Sequence, residues 1–190
     1  AENSRPRESA SSPRESAYLV MATVNGMVKK TALTDFGNVR RTGIIAIRLK
    51  KGDELKWVML SSGGDELLIT TANGQGIRFK ESQTRPMSRT ASGVRGIRLK
   101  GSDHVSGLEI VRKDMKDARL LTVMANGYGK QTKVSEYKSQ NRGGSGVRAA
   151  KITQKTGPLI SAHLVSDETE LLVLSAKGQI IRTSLESVRQ

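Results

Sequence analysis

Short apolar runs alternate with turn signals and basic runs along the chain, and one phrase recurs four times. It reads YLVMATVNGMVKKT (18–31), ELLITTANGQGIRF (66–79), RLLTVMANGYGKQT (119–132) and ELLVLSAKGQIIRT (170–183). Each copy is an apolar strand-like run, a two-residue turn and a basic strand-like run. Asn25-Gly26, Asn73-Gly74 and Asn126-Gly127 fill three of the turns and Lys177-Gly178 the fourth. Asn-Gly between β-rich runs predicts a hairpin, because both residues tolerate positive φ. The turn glycines recur about every 50 residues, a period typical of repeat architectures.

Two further phrases keep the same phase. GIIAIRL (43–49), GVRGIRL (93–99) and GVRAAKI (146–152) each place a glycine before a strand with a cation near its end. ELKWVML (54–60), HVSGLEI (104–110) and PLISAHL (158–164) add one more strand-like run apiece. Four short strands in about 40–50 residues predict a propeller-like blade. The strict phasing argues against a β-sandwich with coincidental similarity. The expected fold is therefore all-β, with repeats near 18–65, 66–118 and 119–168 and a partial one at 169–190. Within the first repeat, strands are expected near 18–24, 27–33, 44–50 and 54–60. No window sustains a 3.6-residue period, so no long helix is expected. The fourth unit stops at Gln190, where its glycine-and-cation strand should begin. That predicts a fragment of a longer chain, forming an open arc rather than a closed disc, ahead of the alternative that the last blade borrows strands from elsewhere. Residues 1–17 contain PRESA twice and lack an apolar period, so they read as a linker or tail.

Charge narrows the function. The net charge is +14, with 26% of residues charged. Such a surplus repels itself and points to a polyanionic partner, nucleic acid before an anionic membrane. Aromatic residues make up only 3%, too few for single-strand binding by base stacking. Nucleic acid is therefore the expected partner, double-stranded DNA before a single strand, and no membrane partner is expected. The chain has no cysteine, which fits a reducing cytoplasm and excludes disulfides and Cys-based zinc sites. No apolar run is long enough to span a bilayer.

Catalysis has little support. His104 and His163 are the only histidines, each beside apolar residues in a strand-like run. No metalloprotease, P-loop or nucleophile-elbow motif occurs, so neither catalytic residues, a metal nor a cofactor is expected.

The cations, by contrast, keep the phase of the repeats. The strand after each turn bears Lys29 and Lys30, Arg78 and Lys80, Lys130 and Lys133, or Arg182. The next connection adds Arg40 and Arg41, Arg85 and Arg89, or Arg142. The following strand adds Arg48, Lys50 and Lys51, then Arg95, Arg98 and Lys100, then Arg148 and Lys151. Equivalent points on successive blades would form a basic belt, matching a duplex that carries about one phosphate charge per 1.7 Å of axis. Some of these residues, Arg98 among them, are alternatively strand-face charges paired with carboxylates. A basic loop, Gln140-Asn141-Arg142-Gly143-Gly144-Ser145-Gly146, joins two strand patterns in the third repeat. Its glycines let backbone approach a phosphate and its arginine supplies charge; alternatively they serve only a turn.

The phrases ATVNGMVKKTALTDF, ANGQGIRFKESQTRPMSRTASGVRGIRL and ANGYGKQTKVSEY resemble the C-terminal domain of the DNA gyrase A subunit, with the topoisomerase IV domain as its close relative. The resemblance covers Tyr18 to Arg189. It implies a β-pinwheel of four-stranded blades that exchange strands, with DNA wrapped or bent around a basic rim without base reading. It also implies that the domain assists supercoiling, that its partners are the ATPase subunit plus the rest of the gyrase A chain, and that catalytic and ATP sites lie elsewhere. The family's signature loop reads QRRGGKG. Gln140, Arg142, Gly143, Gly144 and Gly146 match it, whereas Asn141 and Ser145 replace cations. The family's full loop normally lies in its first blade, so this one reads as a degenerate copy in an internal blade. The competing class is a propeller-type protein-interaction module whose charge serves an acidic partner.

Overall fold

A computed structural model describes residues 17–115 and 117–190. Apart from Ala17, the expected tail at 1–17 lies outside the described residues. The strands are β1 (Tyr18–Thr23), β2 (Met27–Ala32), β3 (Leu55–Ser61), β4 (Glu66–Thr71), β5 (Gln75–Lys80), β6 (Val94–Arg95) and β7 (Val105–Val111). They continue with β8 (Arg119–Met124), β9 (Gly129–Lys133), β10 (Val147–Arg148), β11 (Leu159–Val165), β12 (Glu170–Leu174) and β13 (Ile180–Ser184). Short 3-10 turns follow the second strand of each hairpin, at Leu33–Phe36, Glu81–Gln83, Val134–Glu136 and Leu185–Ser187. Among the described residues there is no α-helix.

The recurring phrase forms the antiparallel hairpins β1–β2, β4–β5, β8–β9 and β12–β13. Their turns differ from the expected geometry. Gly26, at φ 80°, has positive φ, but among the described residues no non-glycine does. Gly26 N–H donates to Thr23 O at 3.0 Å, so a tight turn is followed by a left-handed glycine, the longer hairpin connection rather than the two-residue one. Two of the asparagines serve another purpose. Asn25 Nδ2 donates to Gly52 O, and Asn126 Nδ2 to Gln154 O and Lys155 O. Each pins its hairpin to the loop that leads into the repeat's last strand.

The sheets run β3-β1-β2-β6, β10-β5-β4-β7, β11-β8-β9 and β12-β13. β6 belongs to the second repeat but pairs with β2 of the first, and β10 of the third pairs with β5 of the second. The first two blades are thus each completed by the repeat that follows. This corrects the strand expected near 44–50: GIIAIRL forms none, because the phrase pairs with a preceding hairpin and none precedes it among the described residues. Even in later repeats the pairing lasts only two residues. Beyond Arg95 the chain turns, and Gly96 and Ile97 N–H both donate to Gly26 O.

β3, β7 and β11 pack side by side as an inner layer, which leaves β6 and β10 on the outer edge. The sheets stack as an open series and close no barrel. Apolar residues of neighbouring sheets meet between them. Val20 and Val28 join Ile69, Ile77 and Val105 in one core, while Leu68 and Val111 join Leu120, Val134 and Leu159 in another. Burying each such aliphatic side chain contributes about 1.5–3 kcal/mol, so the blades are held mainly by their neighbours.

Candidate nucleic-acid interface

The chain running from the second and third 3-10 turns back to the inner layer crosses the outer edge of the preceding blade. After Glu81–Gln83 it follows β2, where Met87 N–H donates to Lys30 O at 2.8 Å. After Val134–Glu136 it follows β5, where Gln140 N–H donates to Arg78 O at 2.8 Å. Cations on these crossings, and on the first repeat's corresponding segment, recur at matching sequence positions. Arg41, Arg89 and Arg142 share one position counted from the turn glycine; Arg95 and Arg148 share another; Lys50, Arg98 and Lys151 share a third. Arg40, Arg41, Lys50, Lys51, Arg95, Arg98, Arg148 and Lys151 are exposed, and Arg89 and Arg142 are half-buried.

The remaining cations do not continue this edge. Lys80 and Lys133 are exposed at the far end of the hairpins from the turns, with Arg85 just beyond the second 3-10 turn. Lys100 is exposed at the turn end, opening the tight turn closed by Asp103 N–H donating to Lys100 O. Half-buried Lys130 lines a cavity of about 590 Å³ with Arg119, Lys133, Lys138 and Arg148, where Glu136 is the one acidic side chain among the lining residues.

Four residues read as rim cations serve inside the protein or in ion pairs. Lys29 is fully buried, its Nζ donating to Ala46 O at 2.6 Å and Arg89 O at 2.5 Å. Lys30 is also buried, 3.1 Å from Glu81 Oε1 and 4.8 Å from the centre of the Tyr18 ring. Arg78 pairs with Glu66 and donates through Nη1 to Val134 O and Tyr137 O. Arg182 pairs with Glu170 on the surface. The first three face the next blade, which occupies the solvent that a basic strand position suggests. Arg182 is held across its own hairpin.

The loop at 140–146 seats on blade two and reaches blade one's edge. Arg142 N–H donates to Gln83 Oε1, its Nε to Gln83 O and its Nη1 to Arg95 O, all within 3.0 Å. Gly143 N–H donates to Gly96 O at 2.6 Å. Gly146 has φ 73°, and a Cβ there would lie 2.4 Å from Gly76 O. Two of Arg142's five guanidinium N–H donors are thus spent on backbone carbonyls, and the loop is a fitted part.

A family model described as the DNA gyrase C-terminal domain, beta-propeller, matches residues 17–62, 65–112, 120–166 and 169–190. The chain belongs to this family. Similar gyrase-family chains include the DNA gyrase A protein of Staphylococcus epidermidis, 43% identical over 93% of this chain and 20% of its own length. The DNA gyrase A protein of Mycolicibacterium smegmatis is also 43% identical, over 93% of this chain and 21% of its own. The chain therefore spans about a fifth of the length of these relatives. Among solved structures, a DNA gyrase A C-terminal domain superposes with a TM-score of 0.81 at 26% identity, covering 95% of this chain and 60% of its own. A DNA topoisomerase IV C-terminal domain superposes with a TM-score of 0.85 at 25% identity, covering 94% and 55%.

Within this gyrase-family fold, sequence reasoning passed over several exposed cations. Lys138 stands in the third repeat where Arg85 stands in the second, so in-phase comparison would have found it. Arg112 and Lys113 line a second cavity of about 520 Å³ between blades two and three, and no repeated phrase marks them.

Proposed function

We propose that this chain bends or wraps duplex DNA along its outer edge without reading sequence, as a non-catalytic part of the gyrase A chain of a type II topoisomerase. The single observation carrying this reading is the recurrence of exposed or half-buried cations at matching positions of successive repeats along this edge: Arg41, Arg89 and Arg142; Arg95 and Arg148; Lys50, Arg98 and Lys151. A protein-docking surface has no reason to repeat its charges from blade to blade, whereas a phosphate track does. The net charge of +14 supports the same partner. The 43% identity to gyrase A proteins favours gyrase over topoisomerase IV as the parent enzyme. On that reading the chain works in the cytoplasm, together with the rest of gyrase A plus the enzyme's ATPase subunit. The test is binding to several unrelated duplexes at two salt concentrations, with a fluorescence bend assay. Affinity indifferent to sequence, falling steeply with salt and accompanied by bending, is expected. Absence of binding at low salt would overturn the reading.

A further inference from the structure

At the outer edge of blade one, two crossings lie side by side over β2. One is the first repeat's segment 40–48, the other the second repeat's segment 86–93. Arg48 N–H donates to Ala91 O at 3.2 Å and Arg89 Nη1 reaches Ile45 O at 3.5 Å. Beneath them is Lys29, whose fully buried ammonium donates to one carbonyl of each segment, Ala46 O and Arg89 O. A buried ammonium is costly unless it is hydrogen-bonded, so this one needs both segments where they are.

Blade two solves the same problem without charge. Its residue at the register of Lys29 is Ile77, and the crossing above it is Arg142-Gly143-Gly144-Ser145-Gly146, where blade one has Arg89-Thr90-Ala91-Ser92-Gly93. Gly144 lies over Ile77, and a Cβ there would make ordinary van der Waals contact at 3.6 Å from Ile77 Cδ1. Gly143 N–H then ties the crossing to Gly96 O. Where the crossing rests on an apolar side chain, no ammonium is needed. Where Thr90 and Ala91 stand instead, Lys29 reaches up and holds the backbone.

We propose that Lys29 is a positioning residue for the blade-one edge: it never touches DNA, and it fixes the segments presenting Arg40, Arg41 and Arg89. Its effect on DNA rests on the bending reading above; its effect on the segments does not. The charged groups around it are Arg89, which disfavours its charge, and Asp35, which favours it. Burial acts with Arg89 to push the Lys29 ammonium below the usual lysine value.

The absence of cysteine makes a clean test available. Lys29→Cys places one thiol, which is alkylated in denaturant and refolded either as the aminoethyl adduct, which restores an ammonium, or as the propyl adduct, which has similar size and no charge. Amide exchange at Arg48 and Ala91 is then measured, with Gly143 in blade two as an internal reference. The propyl form is expected to exchange about ten- to hundredfold faster at Arg48 and Ala91, with Gly143 unchanged, and the aminoethyl form to match the unmodified protein. Equal exchange in the two adducts would overturn the proposal. If refolding fails, Lys29→Met expressed directly gives the apolar arm against the unmodified protein. Duplex bending is measured on the same samples. Bending lost in the propyl form and regained in the aminoethyl form is expected. Unaltered bending in both would overturn the positioning role, whereas no DNA binding by the unmodified protein would instead overturn the function reading and leave the exchange result standing.

Discussion

Lys30 and Glu81 form a buried ion pair between successive blades, with Nζ 3.1 Å from Oε1 and neither side chain more than 5% exposed. Ser61 Oγ donates to the same carboxylate oxygen at 2.8 Å, and Asp65 N–H to the other at 3.2 Å. The same register position acts at the next two junctions. Arg78 donates to Val134 O and Tyr137 O, and Gln131 Nε2 to Leu185 O and Val188 O. In each case a side chain from the hairpin's second strand grips the 3-10 turn of the following blade.

Breaking the first grip leaves a charge buried without its partner. Glu81→Ala is expected to destabilise the protein by about 3–5 kcal/mol. Replacing both partners, Lys30→Met with Glu81→Met, is expected to cost far less, because no orphaned charge remains. Urea unfolding of the two variants checks this. Equal losses would mean that the pair itself, rather than the uncompensated charge, is what matters.

The 140–146 loop is expected to depend more on its fit than on its charge. Gly146→Ala forces a side chain into positive φ, strain of roughly 1–2 kcal/mol, and drives a Cβ to 2.4 Å from Gly76 O. Its melting temperature should fall well below that of Ser145→Ala, a change that leaves the backbone free to keep its path. Thermal unfolding followed by circular dichroism separates the two.

Stability should carry a mild pH signature from the inner layer. His163 Nδ1 on β11 lies 3.2 Å from Glu109 Oε1 on β7. That hydrogen bond, with the carboxylate's charge, raises the His163 pKa above its usual value, while burial opposes it. A group whose folded pKa is raised stabilises fully below its unfolded value near 6.5, and that stability is lost as pH rises through the folded value. The unmodified protein should therefore lose more melting temperature than His163→Gln between pH 5.5 and pH 8. The effect should be small, since His163 is largely exposed and screened. Parallel pH profiles for the two proteins would remove the pair from the account.

The architecture was legible because hairpin phrases 48 to 53 residues apart carry their own turn chemistry, as the glycines at 26, 74, 127 and 178 show. Two features were not legible. The Asn-Gly pairs suggested two-residue turns, but the Asn25 and Asn126 side chains anchor neighbouring loops, a contact spanning 27 residues for Asn25 and Gly52. Lys29 and Lys30 read as solvent-facing because local pattern treats a basic strand position as a surface. Their burial comes from crossings and turns up to 60 residues later, as between Lys29 and Arg89. Local pattern specifies the blades; which side of a strand meets the next blade is decided by contacts the local pattern does not contain.

The sharpest separation of the two kinds of cation comes from comparing Arg148 with Arg78. Arg148 is exposed on β10 at the outer edge, whereas Arg78 is held by Glu66 and two carbonyls of the next blade. If binding proceeds by phosphate neutralisation, log affinity falls with log salt by about 0.9 for each phosphate neutralised. Arg148→Ala should then weaken binding to every duplex alike, reduce the slope by about one unit and leave the melting temperature unchanged. Arg78→Ala should do the reverse. It leaves Val134 O and Tyr137 O without that donor and Glu66 without its partner, so the melting temperature falls while the salt slope of the folded fraction stays as it was. Measuring both variants on three unrelated duplexes at 50 and 200 mM salt, with thermal unfolding alongside, distinguishes them. A loss at Arg148 confined to one sequence would point to base readout instead, where a single arginine discriminates by about 1–3 kcal/mol. A shallower slope for Arg78→Ala would return that residue to the DNA track.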